Sequence, residues 1–234
     1  MSHTPLLMTR PGGANASFVQ LIRAEVRAQL HIIESPLTRI EQLSSSVELP
    51  PGAQVIFTSQ NGVKFAPQGN GRLAYCVGER TTRVAAQAGW AAVCAGQNAN
   101  ELVADVMARA PQAALVHLCG MHVRGDIAER LTAAGHQTTR ICLYDQLLVP
   151  LSVQAVSVLE DDSRVIVPLF SPRAAAHFAA VCPVHAQVLV AALSPSVAES
   201  LGNLPILALE TAPEPTAGVL ALCIEKLLLC RSLG

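Results

Sequence analysis

The stretch VIFTSQNGVKFA, residues 55–66, joins an apolar run to a polar loop and then to the start of a helical pattern. Val55, Ile56 and Phe57 are typical of a buried strand, whereas apolar residues after the loop recur at helical spacing. The stretch therefore predicts a strand, a tight turn and a helix N-terminus. The exposed N–H groups of such a first helical turn suit a carboxylate or a phosphate.

The same pattern returns further along the chain, in VIVPLFSPRAAAHFA at 165–179. Each copy is followed by a second strand–loop–helix unit, LAYCVGERTTRVAAQAGW at 73–90 and VLVAALSPSVAESLG at 188–202. Two further segments, A (1–43) and A′ (114–149), each read as a strand, a loop, a helix and an extended stretch. The order along the chain is therefore A (1–43), B (55–95), A′ (114–149) and B′ (165–208), with a period of roughly 110 residues. The chain is internally duplicated, but the sequence alone leaves open which A packs with which B.

Composition places the chain among the α/β proteins. Of its 234 residues 51% are hydrophobic but only 3% are aromatic, and Ala, Val and Leu dominate. This composition suits parallel strands packed beneath Ala-rich helices. A chain of this length forms one large or two small domains, and the duplication favours two.

Three further elements are predicted. A helix is expected from about Ala14 to Gln29, and an amphipathic helix at 217–230. The helix after Val63 is expected to be truncated or absent, because Pro67 and a Gly/Asn turn follow almost at once.

Charge and hydropathy exclude two classes of partner. The formal net charge is −1 and no Lys/Arg-rich block is present, so we expect no nucleic acid partner. The N-terminus MSHTPLLMTRP is too polar for a signal peptide, and no apolar run approaches the roughly 18–20 residues of a membrane span. The odd number of cysteines, none in a CxxC pair, favours small core residues in a reducing compartment. We expect a soluble cytoplasmic protein without a membrane partner.

The sequence predicts no metal and no organic cofactor. His117 and His122 flank Cys119-Gly120, but a third ligand at regular spacing is missing. The glycines form neither a GxGxxG fingerprint nor a P-loop.

Seven blocks in order give the chain a resemblance to a known family. They are TRP at 9–11, FTSQNGV at 57–63, VGERTTRVAAQAG at 77–89, LCGMHVRGDIAERLTAAG at 118–135, LYDQ at 143–146, FSP at 170–172 and SPSVAESL at 194–201. Together they span nearly the whole chain and resemble the successive blocks of uroporphyrinogen-III synthases. The family implies the cyclisation of hydroxymethylbilane to uroporphyrinogen III, with loss of water, inversion of ring D through a spiro intermediate, and no cofactor.

The resemblance also implies an architecture of two α/β lobes, whose parallel sheets are flanked by helices and which are joined by a two-stranded β connector. On that template lobe one is 1–30 with 149–234, lobe two is 45–137, and the connectors are 31–44 and 138–148. A monomer is expected, and a hand-over of hydroxymethylbilane from hydroxymethylbilane synthase is left open.

The family blocks assign candidate site residues. Tyr144, in the LYDQ block, is the candidate catalytic residue. The candidate substrate-binding residues lie in the loops and first helical turns: Arg10, Thr58, Ser59, Gln60, Asn61, Gly62, Gly78, Thr81, Cys119, Gly120, Arg124, Ser171, Pro172 and Ser196. The last of these departs from the family pattern, because SPSV stands where many members carry Gly-Pro-Thr.

Each candidate also has a simpler interpretation. Arg10 is equally compatible with a solvated surface arginine, and Tyr144 with packing on a connector. The Ser, Thr and Asn residues are common helix caps in any protein. At the level of function, the alternative to an enzyme is a non-catalytic, two-lobed cytosolic binding protein for an anionic small molecule.

Overall fold

The computed structural model of the chain describes residues 3–11, 13–43, 47–123 and 125–230. It divides into two compact units, the first made of Met1–Arg39 and Leu147–Gly234 and the second of Ile40–Gln146. Within the described residues, no helix is both long and apolar enough to cross a bilayer.

Most strands of the described chain carry the apolar runs of the sequence, whereas the strand Thr38–Gln42 is largely polar. They are β1 (Thr4–Met8), β2 (Leu30–Glu34), β3 (Thr38–Gln42), β4 (Gln54–Phe57), β5 (Leu73–Cys76), β6 (Ala91–Cys94), β7 (Leu115–Gly120), β8 (Thr138–Leu148), β9 (Val165–Leu169), β10 (Val188–Ala192) and β11 (Ala208–Thr211).

The helices between them are mostly short. They are α1 (Ala14–Val19), α2 (Ala24–Arg27), α3 (Gln60–Phe65), α4 (Glu79–Gln87), α5 (Ala99–Arg109), α6 (Ile127–Ala133), α7 (Val153–Glu160), α8 (Pro172–Val181), α9 (Pro195–Glu199) and α10 (Ala217–Cys230).

Each unit is built on one parallel-dominated sheet. In the first unit the strand order is β11-β10-β9-β1-β2, and every neighbouring pair is parallel. In the second unit the order is β3-β8-β7-β4-β5-β6, and β8 through β6 are likewise parallel. Strand β1 therefore pairs with β9, and β4 with β7. The A segment packs with B′ and the B segment with A′. The duplicated pattern by itself leaves this pairing open, whereas the lobe division implied by the family resemblance groups the same segments.

Both sheets are covered by helices on two faces, as buried parallel strands require. In the first unit Leu7, Val167 and Val190 pack on one side with α8, whereas the alternate residues Leu6 and Ile166 pack on the other with α1 and α10. The second unit divides in the same way between two apolar clusters. Fold class α/β, with parallel sheets flanked by helices, is thus observed in each unit.

The strand orders place a topological switch point in each sheet. In the first unit the chain runs outward from β1 to β2 on one side and from β9 to β11 on the other. The corresponding point in the second unit lies between β7 and β4. Ligands of open α/β sheets bind outside the carboxyl ends of the strands at such points. The candidate ligand-binding loops are therefore those that follow β1 and β9 in the first unit and β4 and β7 in the second.

The prediction of a continuous helix from Ala14 to Gln29 is wrong. Helix α1 ends at Val19 and α2 starts only at Ala24. The intervening Arg23 has an extended ψ of 143°, and its backbone N–H donates to Glu225 Oε1 at 3.3 Å. A carboxylate from α10 thus takes the N–H that a continuous helix would have used.

The helix after Val63 is present but short, as expected from Pro67, since α3 ends at Phe65. The predicted C-terminal helix at 217–230 coincides with α10. The segments expected to form connectors contribute β2, which pairs with β1 in the first unit, and β3 and β8, which are neighbours in the second.

Candidate active site

The second unit concentrates most of the candidate residues at its switch point. Thr58 and Ser59 follow β4, Gly120 ends β7, and Tyr144 lies opposite Gly120 on β8. The three strands are adjacent in the order β8-β7-β4. Parallel strands bring their carboxyl ends to the same edge, so residues far apart in sequence meet there.

Ser59 is the N-cap of α3. Its backbone is extended, with φ −155°, and its Oγ accepts a hydrogen bond from the N–H of Gly62 at 3.1 Å. Gly62 itself packs closely, because a Cβ built there would lie 2.8 Å from the carbonyl oxygen of Leu118. The first turn of α3 therefore lies directly against β7, and the N–H groups of Gln60 and Asn61 are left at the sheet edge by helix geometry.

Tyr144 is joined to this cap. Its Oη lies 2.9 Å from Ser59 Oγ, and its ring lies 5.7 Å, centroid to centroid, from that of Phe65. The residue is only 3% exposed, whereas Ser59 is half-buried. The two hydroxyls form a pair whose more accessible member is the serine.

Burial is the main cause that raises the pKa of Tyr144, and hydrogen bonds with Ser59 and Gln146 oppose it. The phenol is therefore protonated at neutral pH and available as a proton donor. Because Ser59 Oγ already accepts the Gly62 N–H, it is free to donate its own proton to Tyr144 Oη. In that orientation the phenolic proton is available for a third group.

Gly120 makes room for the tyrosine ring. A Cβ at this position would lie 2.7 Å from both Cε2 and Cζ of Tyr144 and 3.1 Å from its Oη. Any side chain at Gly120 would displace the ring. In addition to the substrate-binding role expected for it, Gly120 has a structural role, because only a residue without a side chain leaves space for the Tyr144 ring.

His117 lies three residues before Gly120 on β7. It is 1% exposed, and its Nε2 lies 3.4 Å from Thr58 Oγ1. Burial, assisted by the nearby charge of Arg140 and opposed by that of Glu129, lowers the pKa of His117 to about 4. The imidazole is neutral at physiological pH and takes part in the polar packing beneath Thr58. Among the described residues no group of three or more His, Cys, Asp or Glu side chains is placed to hold a metal.

The low pKa of His117 predicts acid sensitivity. Between about pH 6.5, the unfolded pKa, and about 4, the unfolded chain binds a proton that the folded chain refuses, so the free energy of unfolding falls as the pH falls. The loss is at most roughly 3 kcal/mol. Urea unfolding from pH 7 to pH 4 should give a shallower pH dependence for His117→Gln than for the wild type. The exposed His185→Gln is the control, and equal slopes for wild type and His117→Gln would contradict the assignment.

Two other candidates of this unit are buried. Cys119 is 1% and Thr81 is 6% exposed. Burial raises the pKa of Cys119 to about 11, so its thiol is protonated at neutral pH. Gly78, the N-cap of α4, adopts φ 74° and donates its N–H to the carbonyl of Gly96 at 2.8 Å. It lies two residues after the end of β5, which is the strand next to β4.

The first unit holds Arg10, Ser171 and Pro172 at its own switch point. Arg10 follows β1, its guanidinium stacks over the Phe170 ring at 4.5 Å, and its Nη1 donates to the carbonyl of Ala14 at 3.3 Å. Ser171 caps α8 by accepting the N–H of Ala174 at 3.2 Å, and Pro172 occupies the first turn. Capping by Ser171-Pro172 is confirmed.

Ser196 lies one strand further out, after β10. Its Oγ lies 3.0 Å from Ser194 Oγ, and its carbonyl accepts from Ser200 Oγ at 2.7 Å. Arg124, the last candidate, falls outside the described residues. The described candidates therefore form two groups, one in each unit, at its switch point or one strand away from it.

Loss of either serine cap should cost stability. Ser59→Ala and Ser171→Ala each remove one cap bond and are expected to lower the free energy of unfolding by about 1 kcal/mol. Ser59→Ala should also slow turnover more than Ser171→Ala, because it removes the Tyr144 partner as well. Asn98→Ala, which removes the cap of α5 at the edge strand β6, is the control for stability without a rate effect. Equal rates for all three variants would count against the Ser59–Tyr144 pair.

Sequence reasoning missed Arg140, and it considered His117 only as a possible metal ligand, a role that it rejected. Arg140 lies opposite His117 in the β7–β8 pairing, and its Nη2 donates to the carbonyls of Gly120 and Met121 at 3.3 and 2.6 Å. Nothing local in the sequence marks such a contact, because it depends on strand register. The alternation of Arg140 and Cys142 with apolar neighbours indicates only a strand.

Comparison with known proteins gives an independent result. The model of the family described as uroporphyrinogen-III synthase HemD matches residues 19–221. No curated protein matches. Among solved structures, uroporphyrinogen-III synthetase from Helicobacter pylori 26695 is similar with a TM-score of 0.65 and 16% identity, covering 99% of this chain and 100% of that one.

A mutant uroporphyrinogen III synthase from the extremely thermophilic bacterium Thermus thermophilus has a TM-score of 0.50 and 11% identity, with coverage of 97% and 99%. At these identities the structures establish similarity of fold. The family model spans most of the chain and includes both switch points apart from the β1 loop. This chain belongs to the uroporphyrinogen-III synthase family, the enzymes of EC 4.2.1.75.

Proposed function

We propose that this chain cyclises hydroxymethylbilane to uroporphyrinogen III, with loss of water and inversion of ring D through a spiro intermediate. The observation that carries the proposal is the Ser59–Tyr144 hydroxyl pair, at 2.9 Å, at the switch point of a member of this family. The pair offers a neutral proton donor at the edge where α/β sheets bind ligands.

The carboxylates of the substrate are bound largely by backbone donors. Hydroxymethylbilane carries eight carboxylates on a flexible chain. The capped N-termini of α3, in the second unit, and of α8, in the first, each present first-turn N–H groups at the switch point of their own unit. Such groups bind carboxylates without a metal or a dense cluster of cations. Arg10, stacked on Phe170, adds a cation beside β9.

Tyr144 assists the departure of the hydroxyl group. The phenol donates its proton to the leaving oxygen, so the C–O bond breaks to give water and an azafulvene cation. Attack by the substituted carbon of ring D then forms the spiro centre. The original bond from that carbon to the ring C methylene breaks, and the resulting methylene cation bonds to the unsubstituted α-carbon of ring D, which loses its proton. The proton lost when the macrocycle is completed balances the one donated, and the phenol is restored. A general acid of this kind contributes about 10²–10⁴-fold.

Positioning decides which isomer forms. Free hydroxymethylbilane closes at the nearest carbon without inversion. The enzyme must hold ring A over the substituted carbon of ring D, which is a gain in proximity and orientation.

The test is an isomer assay. Purified protein is supplied with hydroxymethylbilane, the products are oxidised to porphyrins, and the type I and type III isomers are separated. We expect type III in excess, at an unchanged rate after EDTA treatment. Type I alone, at the rate of a protein-free control, would instead support the non-catalytic binding protein.

Three further properties belong to the proposal. The protein acts as a monomer, it works in the cytoplasm, and it accepts hydroxymethylbilane from the synthase that produces it. The free thiols of the six cysteines whose side chains are described, Cys76, Cys94, Cys119, Cys142, Cys182 and Cys223, support a reducing compartment. Size-exclusion chromatography with light scattering tests the monomer.

A further inference from the structure

We propose that Arg140 is a positioning residue for Tyr144, acting through the backbone of Gly120 and Met121. The inference rests on the proposed function only for its consequence on turnover. The geometric part stands on contacts within the second unit.

Arg140 clamps the end of β7 from the neighbouring strand. A single guanidinium nitrogen, Nη2, donates to the carbonyl of Gly120 at 3.3 Å and to that of Met121 at 2.6 Å. The N–H of Met121 donates in turn to the carbonyl of Tyr144 at 2.9 Å. The backbone N–H and the carbonyl of Met121 are therefore both hydrogen-bonded to residues of β8.

The hydrogen bonds from Arg140 lie where the β7–β8 ladder is irregular. The β7–β8 register shifts between Cys119 and Gly120, so Gly120 pairs with Tyr144 instead of its regular partner. An irregularity of this kind interrupts the regular ladder of backbone hydrogen bonds at this point. A charged donor makes stronger hydrogen bonds to carbonyls than a neutral one. Arg140 therefore supplies hydrogen bonds where the regular ladder is interrupted.

The position of Gly120 sets the position of the tyrosine ring. The ring lies so close that a Cβ at Gly120 would be 2.7 Å from Cε2 and Cζ. A backbone shift of Gly120 toward the ring would push it, and a shift away would open a gap. Either movement changes the 2.9 Å separation between Tyr144 Oη and Ser59 Oγ.

Direct binding of a substrate carboxylate is the competing role for Arg140, since the residue is exposed. None of the ion pairs between described residues includes Arg140. The two roles differ in kinetics. A carboxylate ligand lost from the enzyme raises KM, whereas a misplaced proton donor lowers kcat.

The experiment compares Arg140→Met, Arg140→Lys and the control Arg109→Met. Arg109 is also exposed on the second unit, but it pairs with Asp105 on its own helix. The chain contains two tyrosines, Tyr75 and Tyr144, so 3-fluorotyrosine labelling gives two fluorine resonances, assigned with Tyr75→Phe.

We expect Arg140→Met to shift or broaden the Tyr144 resonance and leave that of Tyr75 in place. Arg109, whose charge acts on Tyr75, should do the reverse when replaced by methionine. In turnover, Arg140→Met should lower kcat on the order of tenfold with KM changed less than about twofold. Arg140→Lys, which keeps a charged donor, should recover part of kcat.

An unmoved Tyr144 resonance in folded Arg140→Met would overturn the inference. A raised KM with unchanged kcat would also overturn it, in favour of direct carboxylate binding. If the wild type lacks synthase activity, the proposed function fails by itself. The fluorine resonances still decide whether Arg140 positions the ring.

Discussion

Tyr144→Phe is expected to slow the formation of uroporphyrinogen III by more than tenfold, because a general acid contributes roughly 10²–10⁴-fold to the rate. The substitution keeps the ring that packs against Phe65 and removes only the hydroxyl that lies 2.9 Å from Ser59. The lost hydrogen bond should lower the free energy of unfolding by only about 1 kcal/mol. Stopped assays with separation of the isomers measure the rate, and the product of the variant should remain type III.

Tyr75→Phe is the matched control. The Tyr75 hydroxyl donates to Gln54 Oε1 at 2.9 Å within the same unit, so its removal costs a similar hydrogen bond without touching the proposed donor. A Tyr144→Phe enzyme that retains most of its rate would show that water or the substrate's own carboxylates supply the proton. Tyr144 would then be a packing residue, and catalysis would reduce to folding the substrate correctly.

Gly120→Ala is expected to lower kcat on the order of 100-fold, because misplacement of a catalytic group by about 1 Å has that effect. The added methyl would lie 2.7 Å from two ring atoms of Tyr144, which is 3% exposed and has little space to move. Overpacking of this kind also costs about 1–3 kcal/mol of unfolding free energy. Steady-state kinetics and urea unfolding on the same preparation measure both effects.

Gly218→Ala is the control for adding a methyl to a glycine, since nothing lies within 4 Å of a Cβ built there. The double variant Gly120→Ala/Tyr144→Phe tests the route of the effect. If Gly120 acts only through the phenol, the double variant should be little slower than Tyr144→Phe alone. Fully additive losses would show that Gly120 also contributes by itself, for example as a backbone contact to the substrate.

Local features were accurately predicted from the sequence because their causes lie within a few residues. Ser59 and Ser171 precede helices and cap them, and Pro67 ends α3 early. The helix predicted from Ala14 to Gln29 failed because its interruption is not local. The backbone N–H and the guanidinium of Arg23 both bind Glu225, a residue 202 positions away that is 6% exposed. A helix propensity scale considers only residues close in sequence, so it cannot account for a carboxylate so distant along the chain.

The candidate site shows the same division. The residue types, the loops that carry them and the family could be named from motifs in order along the chain. The Ser59–Tyr144 contact, the steric role of Gly120 and the clamp by Arg140 could not, because each joins residues on different strands and depends on register, including the shift after Cys119.

The amino-acid sequence by itself determined the α/β class, the duplication, the helix caps and the membership of a family, since these follow from composition, spacing and short-range chemistry. The duplicated pattern alone did not decide which strands pair. The family resemblance grouped 1–30 with 149–234, and only the tertiary structure shows that β1 is the direct neighbour of β9 and β4 that of β7. Two copies of nearly the same pattern offer each strand two similar partners, and local preference does not distinguish them. Long-range pairing and the burial of both sheet faces make the choice, and that choice brings Tyr144 to Ser59.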